Sequence, residues 1–255
     1  MSSKIVMQDF IKDLADHINQ LSIDSAQGSL EVAKKYPVSP NDYLRYAKVE
    51  LNAIKGKELS DDNVRHGINC VNHLKRAADE MMNVFLNRLG LLKLSNKRNL
   101  KFKNKTQFFV DIGVLQNYSA DKLNTIRNGI EHDFSAPDIE TIHLYYDIVW
   151  FVVQNLKLHL QIMARYESME GYIYGDINIA HSKHFDLEYN SAEREFLFKT
   201  ELDNKEKNGE VIFNFNDKEN MYAKMFLVYW KLIEFFGDFD LESAKEDIVR
   251  ISTIL

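Results

Sequence analysis

Through the first 166 positions apolar residues recur every three or four places, the spacing of helices that bury one face. Val6, Phe10, Leu14, Ile18 and Leu21 predict an amphipathic helix over about 4–21. Pro37 and Pro40 punctuate a turn, and Tyr43, Tyr46, Ala47, Leu51 and Ile54 predict a second helix over 41–54. Ser60 or Asp61 can cap a long third helix, on which Val64, Ile68, Val71, Leu74, Ala78, Met81, Phe85 and Leu89 form a stripe and Gly90 is a stop signal. Phe108 to Leu115 reads as a short helix or connector. Ser119 to Phe134 reads as a helix capped by Ser119, with Leu123, Ile126, Ile130 and Phe134 facing a core. Pro137 suits the first turn of the next helix, which runs from Ile139 through Ile142, Tyr146, Val149, Val153, Leu156 and Leu160 to Met163. Its middle is apolar nearly all round, as expected of a buried central helix or a dimer interface.

After Tyr166 the period shortens to two. Gly171 to Ala180, Phe185 to Tyr189, Glu195 to Thr200 and Glu210 to Asn216 are short and rich in aromatics, with turns expected at Asn190-Ser191 and from Asn204 to Gly209. Two helices close the chain, about Glu219 to Phe236 and Leu241 to Ile254. The expected architecture is mainly α. An antiparallel helical bundle over 1–166 precedes a smaller α+β part over 167–255, a short antiparallel sheet plus two helices.

Composition fits this outline. Three prolines and ten glycines in 255 residues favour long helices, and 45% hydrophobic with 27% charged is ordinary globular usage. Cys70 stands alone, which excludes a disulfide framework or a thiolate cluster. The N-terminus lacks a basic-then-apolar signal, and Leu144 to Val153 is broken by Asp147 and too short to span a bilayer. A soluble cytoplasmic protein without a membrane partner is expected. A net charge of −6 argues against a general nucleic-acid coat. Yet Lys93 to Lys105 holds six basic residues and no acidic one. Lys97, Arg98, Lys101 and Lys103 could grip the phosphates of a substrate, or the run could be a solubilising loop.

The most chemical stretch is Ile126 to Phe134. On a helix, Asn128 and His132 are four apart and share a flank with Asp121, Asn124 and Thr125, away from the apolar stripe. Arg127 lies at the stripe's edge, one turn from Glu131. A solvated flank with an Arg127–Glu131 ion pair is the plain reading. The chemical one uses the guanidinium to clamp a phosphate and the imidazole to move a proton near neutral pH. Gly129, costly in mid-helix, suits close approach of a substrate or another helix.

Arg127, Asn128 and His132 together resemble the R-x4-6-H motif of the HEPN domains of prokaryotic ribonucleases, which has a polar residue directly after the arginine. The resemblance covers about 40–166. Phe134 stands where many members of the toxin branch carry tyrosine. The resemblance implies a metal-independent endoribonuclease, without cofactor, that cleaves RNA by 2′-hydroxyl attack. It also implies a homodimer whose paired motifs face one cleft, and a toxin or phage-defence role with an antitoxin or regulatory protein as partner. Its catalytic residues would be Arg127, Asn128 and His132. The alternative is a non-catalytic helical module that binds a partner protein, nucleotide or RNA.

Other clusters carry less. His66 and His73 are two turns apart on the long helix, near Asn69, Arg65 and Arg76, and suit a polar groove better than a shared metal. His181 and His184, with Asp186 and Glu188, look ligand-like as a string, but strand residues alternate faces and a solvated turn explains them too. No metal site is expected. No Gly-rich phosphate loop, G-x-S-x-G or H-E-x-x-H occurs.

Overall fold

The structure is a computed structural model of the chain, and it describes residues 3–17, 21–28, 37–56, 60–132, 139–173, 183–202, 205–214, 216–217, 220–236 and 241–254. It divides into two compact units: Val32–Gln161, and Met1–Glu31 together with Ile162–Leu255.

The first unit is helical. It holds α2 (Pro40–Ala53), α3 (Asp61–Arg88), α4 (Leu92–Lys97), α5 (Phe102–Asp111), α6 (Asn117–His132) and most of α7 (Ile139–Arg165). Its helix ends are written in local chemistry. Ser39 and Asp42 form a capping box at α2: the Asp42 amide donates to Ser39 Oγ and the Ser39 amide to Asp42 Oδ2. Ser60 caps α3. The buried Asn63 side chain then donates to Lys55 O at 2.8 Å and accepts from Lys55 N at 3.0 Å, clamping the α2–α3 turn.

Three successive helices stop in the same way. After α3, Gly90 takes φ +70°, the Leu91 amide donates to Leu86 O and the Gly90 amide to Asn87 O. After α4, Asn99 at φ +49° repeats the pattern with Leu100 and Ser95. After α5, Gly113 at φ +79° does so with Val114 and Phe109. These are Schellman stops, which turn the chain sharply while satisfying the last carbonyls. Gly90 thus acts as the sequence predicts. The Lys93–Lys105 segment forms α4 and the start of α5 rather than a loop. Gly67 lies where α7 crosses α3: a Cβ there would meet Ile142 Cδ1 at 2.8 Å.

The second unit is built from α1 (Ser3–Asp16), β1 (Leu21–Gln27), β2 (Ser168–Ile173), β3 (Lys183–Asn190), β4 (Glu195–Leu202), β5 (Lys205–Ile212), α8 (Met221–Phe236) and α9 (Leu241–Ile254). Among the described residues its five strands run antiparallel in chain order. Cross-strand partners lie on one face. Met169, Leu187, Phe198 and Gly209 form one inner row, and Tyr189, Phe196 and Val211 another. α1 and α8 pack against the sheet, and α9 packs on both. Phe10 of α1 meets Phe198 at 4.9 Å between ring centres, and Phe196 meets Phe226 of α8 at 4.7 Å. Lys207 of β5 reaches Asp13 of α1 at 3.2 Å.

Several expectations are corrected here. Leu21, expected to end the first helix, instead opens the strand Leu21–Gln27. Its LSIDSAQ sequence has little β-branched or aromatic content, and pairing with β2 rather than propensity makes it one. The N-terminal helix and strand therefore group with the C-terminal elements, and the two compact units meet along the chain at 31/32 and 161/162. The first C-terminal strand starts at Ser168, while 174–180 lie outside the described residues. Residues 205–209, expected in a turn, are in β5. Gly209 is there because the Phe198 ring covers it: a Cβ would stand 2.6 Å from Phe198 Cζ. α6 begins at Asn117, ahead of Ser119, and Pro137 lies outside the described residues.

Candidate functional sites

The predicted catalytic helix exists as α6, and positions 127, 128 and 132 occupy its last two turns. The side chains of Arg127, Asn128 and His132 lie outside the described residues, as does Phe134. The visible half of α6 buries Ala120 and Leu123 and exposes Asp121 and Thr125, the polarity read from the sequence. Asn124 is half-buried. It donates to Thr106 Oγ1 of α5 at 3.0 Å, and Thr106 Oγ1 donates to Lys103 O at 2.9 Å. This relay docks α6 on the first turns of α5.

The basic segment divides into two roles. Lys97 at the end of α4, Arg98 at its cap, Lys101 at the N-cap of α5 and Lys103 within α5 are all exposed. Lys105 is not part of this surface. It is buried, and its ammonium donates to Asn83 Oδ1 at 2.9 Å and Asp79 Oδ1 at 3.2 Å, tying α5 to α3. Helical phase explains the split, since Lys105 stands with Phe102, Thr106 and Phe109 on the inner face.

The polar flank of α3 faces α2. His66 Nδ1 lies 2.6 Å from Glu50 Oε2. His73 sits among aromatic rings, 5.5 Å from Tyr46 and 6.3 Å from Tyr43, and the Arg76 guanidinium lies over Tyr43 at 5.9 Å. Asn69 is half-buried on the same helix. Cys70 is fully buried; burial, then the Glu50 charge, push its thiol up to about 12, with Lys48 opposing. Such a thiol is a packing group, not a nucleophile.

On α7, Tyr145 is buried, whereas Trp150 and Phe151 are about half-exposed, with Leu144 and Leu158. Leu144, Phe151 and Leu158 are spaced by seven, so they form one outward stripe.

The outer face of the sheet brings together what the sequence scatters. Ser25, Glu170, Asp186, Lys199 and Asn208 form one cross-strand row over β1–β5. His184 lies on the same face two residues before Asp186. Ligand atoms of Glu170, His184 and Asp186 all lie within 4.8 Å of one another. Burial pushes the Asp186 carboxyl above its ordinary value; His184 opposes this, Glu170 adds to it, and Lys199 opposes it. A cleft of about 510 Å³ adjoins, lined by Asp186, Glu188, Lys199, Asn208 and Glu210 among others. Of the ligand-like string, His181 lies outside the described residues, and His184, Asp186 and Glu188 share the outer face. Glu170 is the residue the sequence reading missed. It stands well before His184 in the chain, and only strand register makes the two neighbours.

Comparison with known protein families, with curated proteins and with solved structures finds no match.

Proposed function

We propose that the chain is a metal-independent endoribonuclease of the HEPN type. The observation that carries this reading is the docking of α6 on α5 through Asn124, Thr106 and the Lys103 carbonyl. It joins the helix bearing Arg127, Asn128 and His132 to the surface bearing Lys97, Arg98, Lys101 and Lys103. On an α-helix, positions 121, 125, 128 and 132 form one stripe, and Asp121 and Thr125 on it are exposed. That is the flank a substrate-facing histidine needs.

In this mechanism the cationic turn holds RNA phosphates, and the 2′-hydroxyl attacks the adjacent phosphorus while the 5′-oxygen leaves. His132 moves the proton, Arg127 stabilises the added negative charge, and Asn128 orients the imidazole or a phosphate oxygen. Two motifs meet in a homodimer, for which the outward α7 stripe of Leu144, Phe151 and Leu158 supplies apolar surface. A toxin or phage-defence effector, restrained by an antitoxin or regulatory protein, is the role this activity suits.

The test is RNA cleavage by purified protein in EDTA. Products with 2′,3′-cyclic phosphate and 5′-hydroxyl ends are expected. Arg127→Ala and His132→Ala should each lower the rate by about 10²-fold or more, and Asn128→Ala less. Cleavage that survives both substitutions, or that requires magnesium, overturns the reading. Absence of cleavage with retained binding of RNA or protein transfers the site to the non-catalytic alternative.

A further inference from the structure

In a pleated sheet, two residues directly opposite on adjacent antiparallel strands bring their side chains together on one face. Glu170 and Asp186 are such a pair. Like charges in that position repel, and the sequence supplies two carboxylates where neutral partners would be more stable. Ser25 Oγ donates to Glu170 Oε2 at 3.3 Å, which holds one of them from the β1 side. On the other side His184 Nε2 lies 3.1 Å from Asp186 Oδ1.

That last contact is close but not directed as a hydrogen bond. Asp186 Oδ1 is shielded from solvent and has no hydrogen-bond partner. A shielded carboxylate oxygen without a donor is costly, and a bound cation is one way to satisfy it. The Lys199 ammonium in the same row lies 3.4 Å from Glu206 Oε1. The structure therefore gathers one imidazole nitrogen and two carboxylates, their ligand atoms within 4.8 Å, around a shielded oxygen that receives no hydrogen bond.

We propose that Glu170, His184 and Asp186 bind a divalent transition-metal ion on the outer face of the sheet. Three protein ligands leave coordination positions for water, as in open rather than closed metal sites. The adjoining cleft, which shares Asp186 as a lining residue, gives those positions access to a small polar molecule. The mixed nitrogen and oxygen donors favour zinc, manganese or iron(II) over magnesium, which prefers oxygen alone and keeps its waters. The site is independent of the ribonuclease reading, since all three ligands belong to the sheet unit.

Titration calorimetry on the full chain, first stripped of metal with a chelator that is then removed, tests this with Zn²⁺ and Mg²⁺ as probes. One Zn²⁺ per chain is expected, with Mg²⁺ much weaker. His184→Ala and Asp186→Asn should weaken Zn²⁺ by about 10-fold or more, the scale on which even supporting residues affect metal affinity. Glu170→Gln removes a ligand at an exposed position, so the fold survives and its loss of affinity is readable even if the other variants misfold. Glu188→Gln, on the same face but outside the triad, should bind as the native chain does. Cobalt(II) substitution should give visible absorption that His184→Ala abolishes. No Zn²⁺ binding overturns the proposal. So does binding unaffected by Glu170→Gln and His184→Ala, or a loss in Glu188→Gln equal to that in Asp186→Asn, which would mean diffuse negative charge holds the ion.

Discussion

The helical unit is one unbroken stretch, residues 32–161, and its turns are made by neighbours in sequence: a capping box, an asparagine clamp and three Schellman stops. The sheet unit is assembled from residues 1–31 and 162–255, and its edge strand β1 pairs with β2 across the whole length of the other unit. Their interiors differ as well. α3 buries mostly small and unbranched or aliphatic groups, Cys70, Val71, Leu74, Ala77, Ala78, Met81 and Met82, with Phe85 packed against Phe109 near its end. The sheet unit gathers Tyr189, Phe196, Tyr222, Phe226, Tyr229 and Trp230 in one aromatic cluster. Within it the Tyr189 and Tyr222 hydroxyls pair at 2.6 Å, and Tyr229 donates to Tyr166 O. Local rules hold the first unit in shape, whereas the second depends on contacts between distant segments. A single perturbation should therefore be felt by its own unit first.

The chain's two tryptophans make this measurable, because Trp150 lies in the helical unit and Trp230 in the sheet unit. Single-tryptophan variants report each unit during denaturant unfolding. The largest effect is expected from Phe196→Ala, which empties the centre of the aromatic cluster. A loss of about 3–5 kcal/mol should appear in the Trp230 transition. An equal shift of the Trp150 transition would mean that the units unfold as one.

Gly209→Val should cost about 1–3 kcal/mol in the same transition, because the new side chain must displace the Phe198 ring and Val6 of α1. A neutral result would show that the Phe198 cover is not tight.

In the helical unit, Cys70 gives a pH signature. Its thiol rises from 9.0 to about 12 on folding, so the unfolded chain loses that proton first. The contribution is intact below pH 9 and lost as pH rises towards 12, with a slope of at most about 1.4 kcal/mol per pH unit. Replacement by alanine, which has no thiol, should flatten the Trp150 transition's alkaline decline by that amount. The native thiol should also resist alkylation at pH 8 until the unit unfolds.

Gly90→Ala is expected to be the smallest of these, about 1 kcal/mol, from placing a Cβ at φ +70°. It should move the Trp150 transition and leave that of Trp230 unchanged.

What could be read beforehand follows the same division. Apolar spacing located α2, α3, α7 and α9 closely, and Gly90 announced its turn, because these features depend on residues within one or two turns of each other. The helix that carries positions 127, 128 and 132 was legible for the same reason, as was the exposure of Lys97, Arg98, Lys101 and Lys103. Helical phase assigned Lys105 differently from its neighbours, and that became apparent only once α3 supplied Asp79 and Asn83.

By itself, then, the sequence determined that this chain is mainly helical, where most helices start and stop, and that Arg127, Asn128 and His132 ride on one helix. Tertiary structure decided that Leu21–Gln27 is a strand, that the two chain ends form one unit, and that Gly209 lies beneath Phe198. It alone placed Glu170 beside His184 and Asp186. The physical reason is range. Helix hydrogen bonds close within four residues, so local side chains specify them. Strand register is set by partners far along the chain, which no local pattern encodes.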